Sequence, residues 1–166
     1  MRRQLFDDTH EIFRDSFRSF VHREVKPNVE KWEQAGIVHR NLFHKGGKAG
    51  FLGMAVPEQF GGSGVADFRF NAIMAEELSR AHVGASGDGI LLHNDNWLPS
   101  LLSAANEEQK SRWLPGICSG ELVVAITMTE PGAGSDLASI RCPMTSERRP
   151  VERAITTSPR GKDVHH

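Results

Sequence analysis

Apolar positions in the first 25 residues fall in a helical rhythm. Leu5, Ile12, Phe13, Phe17, Phe20, Val21 and Val25 recur at helical spacing with charges between them, which predicts one long amphipathic helix stopped by Pro27. Asn41 to Gly50, "NLFHKGGKAG", allows a short helix weakened by Gly46 and Gly47, and "FLGMAVPEQFGGSG" after it reads as an extended, turn-rich loop. Asp67 can cap a third helix, because Phe70, Ile73, Met74, Leu78 and Ala81 share one face and Glu76 can pair with Arg80 one turn on. The stretch "HVGASGDG" predicts a flexible connection. Ile90, Leu91, Trp97, Leu98, Leu101 and Leu102 then give a fourth helix, bent near Pro99. Asn106 caps a fifth, with Glu107 and Glu108 in its first turn, Gln109 in capping-box position, and Pro115-Gly116 as its end.

Five helices joined by short connections predict an up-and-down helical bundle, since each buries its apolar stripe against the others. After Gly120 the pattern changes. Leu122 to Thr129, "LVVAITMT", is too short for another core helix, is rich in β-branched residues, and reads as the first strand of a β domain. All nine Phe and three Trp lie at or before Trp113, and the residues after Ile140 offer little to bury, which predicts a disordered tail. The fold class expected is therefore mainly α: a helical domain over 1–120, the start of a truncated β domain over 121–140, and an atypical tail over 141–166.

Composition narrows the function classes. Twenty basic residues against 21 acidic ones leave a formal net charge of −1, with no bias toward nucleic acid or an anionic membrane. No apolar run is long enough for a membrane span and no signal-peptide h-region follows the start, so a soluble, cytoplasmic protein is expected. Cys118 and Cys142 have no metal-ligand spacing and read as free thiols of a reducing compartment. The eight histidines show neither HxxxH nor HExxH, so no metal site is expected. Glu76 and Glu77 are adjacent on a helix and point about 100° apart, so they read as surface and helix-packing residues and not as an acid/base pair. Asn94, Asp95 and Asn96 read either as solvent-facing helix residues or as lining of a pocket.

The chemistry-bearing segment is "MTEPGAGSD", Met128 to Asp136. A strand ending there delivers the Thr129 and Ser135 hydroxyls and several unhindered backbone N–H groups to one edge, which suits a diphosphate or the polar edge of a flat ring. By chemistry alone an ordinary turn explains it equally, and neither GxGxxG nor a Walker lysine accompanies it.

The string "AITMTEPGAGSDLASI", with "EELSRAH", "NEEQKSRWLPGICSGE" and "LGMAVPEQFGGSG" upstream, resembles the acyl-CoA dehydrogenase family, most closely its long-chain-type branch, over roughly Gln4 to Arg141. The resemblance implies an N-terminal helical domain, a middle β domain and a C-terminal bundle, with FAD between the last two. It implies α,β-dehydrogenation of an acyl-CoA thioester in fatty acid β-oxidation, a carboxylate taking the α proton and FAD the β hydride, by an enzyme that is a homo-oligomer. It places the strand from Ile126 to Thr129 along the flavin, with Ile126 and Met128 packing on the ring and the Thr129 hydroxyl and main chain on its polar edge. Gly134 and Ser135 fall near the FAD pyrophosphate, Ser135 also near the CoA part of the substrate. Donors on an electron-accepting edge favour the reduced ring.

Two family features are absent: the second flavin-contacting strand and the glutamate base, so no catalytic residue is assigned. Beyond Arg141, relatives continue with strand residues where this chain reads "CPMTSERRPVERAITTSPRGKDVHH", a switch that a frameshift would produce. The expectation is a fragment inactive by itself. A non-catalytic helical module that associates with a full-length homologue is the alternative.

Overall fold

A computed structural model describes residues 5–125 and Ser135. The chain divides into two compact units, Met1–Val123 and Val124–His166. In the second, Ser135 lies in a bend and is exposed.

The first unit is helical and, among the described residues, holds no strand. Helix α1 (Asp8–Phe20) begins at Asp7, whose carboxylate accepts from the backbone N–H groups of Thr9 and His10. Helices α2 (Val29–Ala35) and α3 (Asn41–Lys48) follow, α2 ending at Gly36 in the left-handed region, φ +66°. A loop with one 3₁₀ turn at Glu58–Phe60 leads to α4 (Arg69–Arg80). Then come α5 (Gly84–Leu92), α6 (Leu98–Ala104) and α7 (Glu107–Ser119). Asn106 and Gln109 form the expected reciprocal capping box at the start of α7, and Gly120, φ +76°, closes it.

Three prolines expected to stop or bend helices do neither in the expected way. Pro27 sits in a 3₁₀ turn, Lys26–Asn28, that links α1 to α2 through a π-helical segment, Val21–Val25. Pro99 opens α6, again just after a π-helical segment, His93–Trp97. In both places the helix has already widened before the ring that would collide with the preceding turn, and the N–H of the residue ahead of the proline bonds five residues back, Lys26 to Val21 and Leu98 to His93. Pro115 lies inside α7, which runs on to Ser119 because Trp113, Leu114, Ile117 and Cys118 are buried on either side of it. The glycine-rich stretch read as a flexible connection is instead the first two turns of α5.

The core confirms most of the periodicity, although Leu5 and Ile12, expected in the first stripe, are 54% and 71% exposed. Phe17, Phe20, Val21 and Val25 of the first helical run are at most 2% exposed, as are Ile73, Met74 and Leu78 of α4. Phe51, from the loop after α3, is the hub of an aromatic cluster: its ring meets Phe13, Phe17 and Phe20 edge-on at 5.6, 4.9 and 5.1 Å. Burying each such side chain contributes roughly 1.5–3 kcal/mol, and α1, α4 and the Phe51 loop are thereby pinned together.

Candidate functional site

The polar groups that this core encloses are arranged in three clusters. The first joins α1 to α4. Arg14 and Glu77 are 6% and 2% exposed, and Arg14 Nη1 donates to Glu77 Oε1 at 3.0 Å and to Glu76 Oε2 at 2.7 Å. Arg18 Nε donates to the other Glu77 oxygen at 2.7 Å, and Arg80 lies 3.6 Å away. Burial by itself would raise the Glu77 carboxyl. The hydrogen bonds from Arg18 and Arg14 outweigh it and hold the group ionised below its usual range. Glu77 thus has the helix-packing role expected of it, with its charge fully committed.

One turn earlier, His10 lies between two carboxylates. Nδ1 is 2.7 Å from Asp7 Oδ1, Nε2 is 3.3 Å from Asp67 Oδ2, and the ring stacks on Phe70 at 4.6 Å. The N-cap of α4 is Phe68 and not the expected Asp67; Asp67, one residue further out, accepts from the Arg69 backbone N–H, and the Arg69 guanidinium holds its carboxyl well below the usual carboxylate range.

The third cluster surrounds the π-helical segment His93–Trp97. Asn94 is buried, accepts from the Gly53 N–H at 3.0 Å and donates to the Phe51 carbonyl at 2.8 Å, so its amide satisfies a loop backbone that has no strand partner. Asn71 Nδ2 donates to the half-buried Asp95, whose carboxyl burial pushes up. His93, beside the Phe43 ring at 5.0 Å, is pushed down to about 4 by burial and is neutral at pH 7. Of the three residues left open between solvent and pocket, Asn94 faces the loop and Asn96 faces water.

These clusters lock helices together; none pairs a nucleophile with a base. Burial raises the free thiol of Cys118 to about 11, which removes it as a nucleophile at neutral pH. Among the described residues no group of three His, Cys, Asp or Glu could hold a metal ion, and no helix is long and apolar enough to cross a membrane. Of the sequence-predicted site residues, Ile126, Met128, Thr129 and Gly134 lie outside the described residues, as do the second half of the expected strand and the tail; residues 122–125, its first half, form no strand. Ser135 is described, and its exposure leaves the hydroxyl accessible.

Comparison with known proteins decides the family. The profile of the acyl-CoA dehydrogenase N-terminal domain matches residues 7–121. The chain belongs to the acyl-CoA dehydrogenase family. Long-chain specific acyl-CoA dehydrogenase from Sus scrofa is 42% identical over 139 residues, which are 84% of this chain and 32% of that relative. The crystal structure of an acyl-CoA dehydrogenase from Geobacillus kaustophilus superposes with a TM-score of 0.76 at 45% identity, covering 82% of this chain and 35% of that one. An acyl-CoA dehydrogenase from Bacillus anthracis, solved in complex with FAD, superposes with a TM-score of 0.74 at 32% identity over 85% of this chain and 24% of its own. The chain thus spans about a third of the length of the first two of these relatives and about a quarter of the third.

The ion-pair cluster was not foreseen from sequence, although its signal was present. Arg14 sits in the same stripe as His10, Phe17 and Val21, four and three residues apart on the buried face of α1. A charge in that register needs a buried partner on the opposing helix.

Proposed function

We propose that this chain is the N-terminal portion of an FAD-dependent dehydrogenase that introduces a Cα–Cβ double bond into acyl-CoA thioesters in fatty acid β-oxidation, and that these 166 residues alone perform no turnover. One observation carries the reading: the string "TEPGAGSD" stands directly behind a helical domain of this family, in an alignment with the long-chain relative that is longer than that domain. FAD would supply the hydride acceptor. The chain's part would be to present it: Ile126 and Met128 as apolar packing, the Thr129 hydroxyl and main chain as donors to the polar edge, Gly134 and Ser135 as donors to phosphate oxygens. A glycine at 134 lets backbone donors approach an anion without a Cβ between. Ser135 would also meet the acyl-CoA. The proton acceptor has to come from outside these residues. A cytoplasmic enzyme that assembles as a homo-oligomer completes the proposal.

The purified chain tests the negative half. It should be colourless, without stoichiometric flavin absorbance, and should not reduce an electron acceptor when acyl-CoA is added. Bound, reducible flavin would overturn that half. A chimera tests the positive half: residues 1–140 of this chain fused to the remaining two thirds of the Geobacillus kaustophilus relative should be a yellow, acyl-CoA-oxidising protein. In it, Thr129→Val and Ser135→Ala should loosen FAD. A folded chimera that holds no flavin would refute the assignment.

A further inference from the structure

Away from these clusters, α2 and α3 enclose a cleft of about 490 Å³ whose floor includes Trp32, 9% exposed, and Leu42, 3% exposed. Gly36, left-handed at φ +66°, turns the chain back after α2, so that Ile37 to Arg40 form the facing wall. The size is that of a small-molecule site, Ala35, Ile37, Val38 and Leu42 supply its aliphatic surface among polar and charged neighbours, and Ile37 is 70% exposed.

Charge around the mouth is unequal. Glu24 is the only carboxylate among the lining residues, and both its oxygens are occupied, by Lys45 Nζ at 2.5 Å and Arg23 Nε at 2.7 Å. Those two cations hold its carboxyl below the ordinary range. Lys31 and Arg40 remain. Arg40 donates from Nη2 to the Glu121 carbonyl at 3.0 Å, which leaves the rest of its fork open. His39 accepts from the Asn41 N–H on Nδ1 at 3.1 Å, so a neutral ring carries its proton on Nε2 as one more donor. A cleft that combines aliphatic and aromatic surface with a surplus of cationic donors in its lining matches one kind of molecule.

We propose that this cleft binds a single-chain amphiphile, its aliphatic body lying on Trp32, Val38 and Leu42 and its carboxylate or phosphate head held by Lys31 and Arg40. The site is separate from the redox proposal and stands if that proposal fails, because every residue it uses lies between positions 24 and 45.

Calorimetric titration of the full chain, below micellar concentrations, uses four probes: decanoate, decyl phosphate, decanol and inorganic phosphate. At least one of the two anionic amphiphiles should bind with a stoichiometry of one, and should do so about tenfold or more tightly than decanol and than inorganic phosphate. The tighter of the two identifies the head. The double variant Lys31→Gln/Arg40→Gln should lose about tenfold in affinity with an unchanged circular dichroism spectrum, and Val38→Glu, which puts a carboxylate into the cleft, should abolish binding. Several ligands per chain, equal affinity for decanol, equal affinity for inorganic phosphate, unaltered affinity in the double variant, or no saturable binding would each overturn the assignment.

Discussion

Helices α1 and α4 meet through charges, whereas α3 and α7 meet through the lack of side chains. On the first seam Arg14, Arg18 and Glu77 exchange hydrogen bonds of 2.7–3.2 Å, Arg14 and Glu77 inside the core and Arg18 at its edge. On the second, a Cβ added to Gly47 would lie 2.4 Å from the carbonyl carbon and oxygen of Ser119, and one on Gly120 would lie 2.2 Å from the Phe43 carbonyl oxygen. The two solutions fail differently. A charged seam tolerates small displacements but depends on pH and on every member being present. A glycine seam is indifferent to pH and admits no added methyl, since the obstacle is backbone that cannot rotate aside.

The largest effect expected comes from breaking the charged seam on one side only. Glu77→Ala takes the fully buried carboxylate from Arg14 and leaves it only the more exposed Glu76 and Glu11, so the loss should fall at the lower end of the about 3–5 kcal/mol that removing one member of a buried pair costs. Thermal melts should show α1 released with it. Double substitution of Arg14 and Glu77 by leucine and methionine should recover most of the loss. If Glu77→Ala melts within a degree or two of the parent chain, the seam is not held by charge. The sign with pH follows from the depressed carboxyl: the Glu77 contribution is complete above the unfolded value of 4.5 and is lost as pH falls through the lower folded value.

Near the glycine seam, His93 gives a different acid signature. Its folded value of about 4 against 6.5 unfolded means that the unfolded chain binds a proton first, so stability falls as pH drops from 6.5 toward 4. The loss is on the order of 3 kcal/mol for a shift of that size. Asp95, raised by burial, works in the opposite sense over part of the range. The difference between the parent chain and His93→Gln isolates the imidazole: the variant should have the flatter stability profile between pH 4.5 and 6.5, and parallel profiles would contradict it.

The glycine seam is broken by a single methyl. Gly120→Ala combines a left-handed backbone with the collision against Phe43, and should cost about 3 kcal/mol. Gly36→Ala separates the two contributions. Gly36 has φ +66° but no atom within 4 Å of the added Cβ, so backbone strain of about 1 kcal/mol is all that remains. Equal melting temperatures for the two variants would mean that the close approach is not what holds α7 on α3.

The contrast between the seams also marks what the sequence could disclose. Periodicity found the stripes of α1 and α4, because Phe17, Phe20, Ile73, Met74 and Leu78 are spaced by the same geometry that buries them, but it missed α2, where Trp32 is the one buried residue and no stripe exists to be read. Chain breakers were misread: a π turn ahead of Pro27 and Pro99 is a response of the whole helix, and nothing in the local residues announces it. The glycines before Ile90 were misread for a related reason. They look like a loop because they lack side chains, but Gly87 and Gly89 lack side chains so that α5 can lie against Leu78 of α4 and Phe43 of α3. For the flavin-edge residues the case was the reverse. Spacing and composition gave no more than a turn after a strand, and the reading of Ile126, Met128, Thr129, Gly134 and Ser135 came from the order of residues in one string.

Helix α5 allows that distinction to be measured within nine residues. If its glycines serve contact and not flexibility, the ones that touch nothing should be replaceable with profit. Gly84 opens the helix with ordinary backbone angles and open space where a Cβ would stand, so Gly84→Ala should raise stability by about 0.5–1 kcal/mol by restricting the unfolded chain. At Gly87 the same methyl would lie 2.4 Å from Leu78 Cδ2, a side-chain end that can partly yield, and a loss of about 1–2 kcal/mol is expected. Opposite signs three residues apart on one helix identify packing as the reason for the glycines. Two gains would mean that the stretch is loose enough to accept any helix former, and that α5 is held to α4 by something other than their close approach.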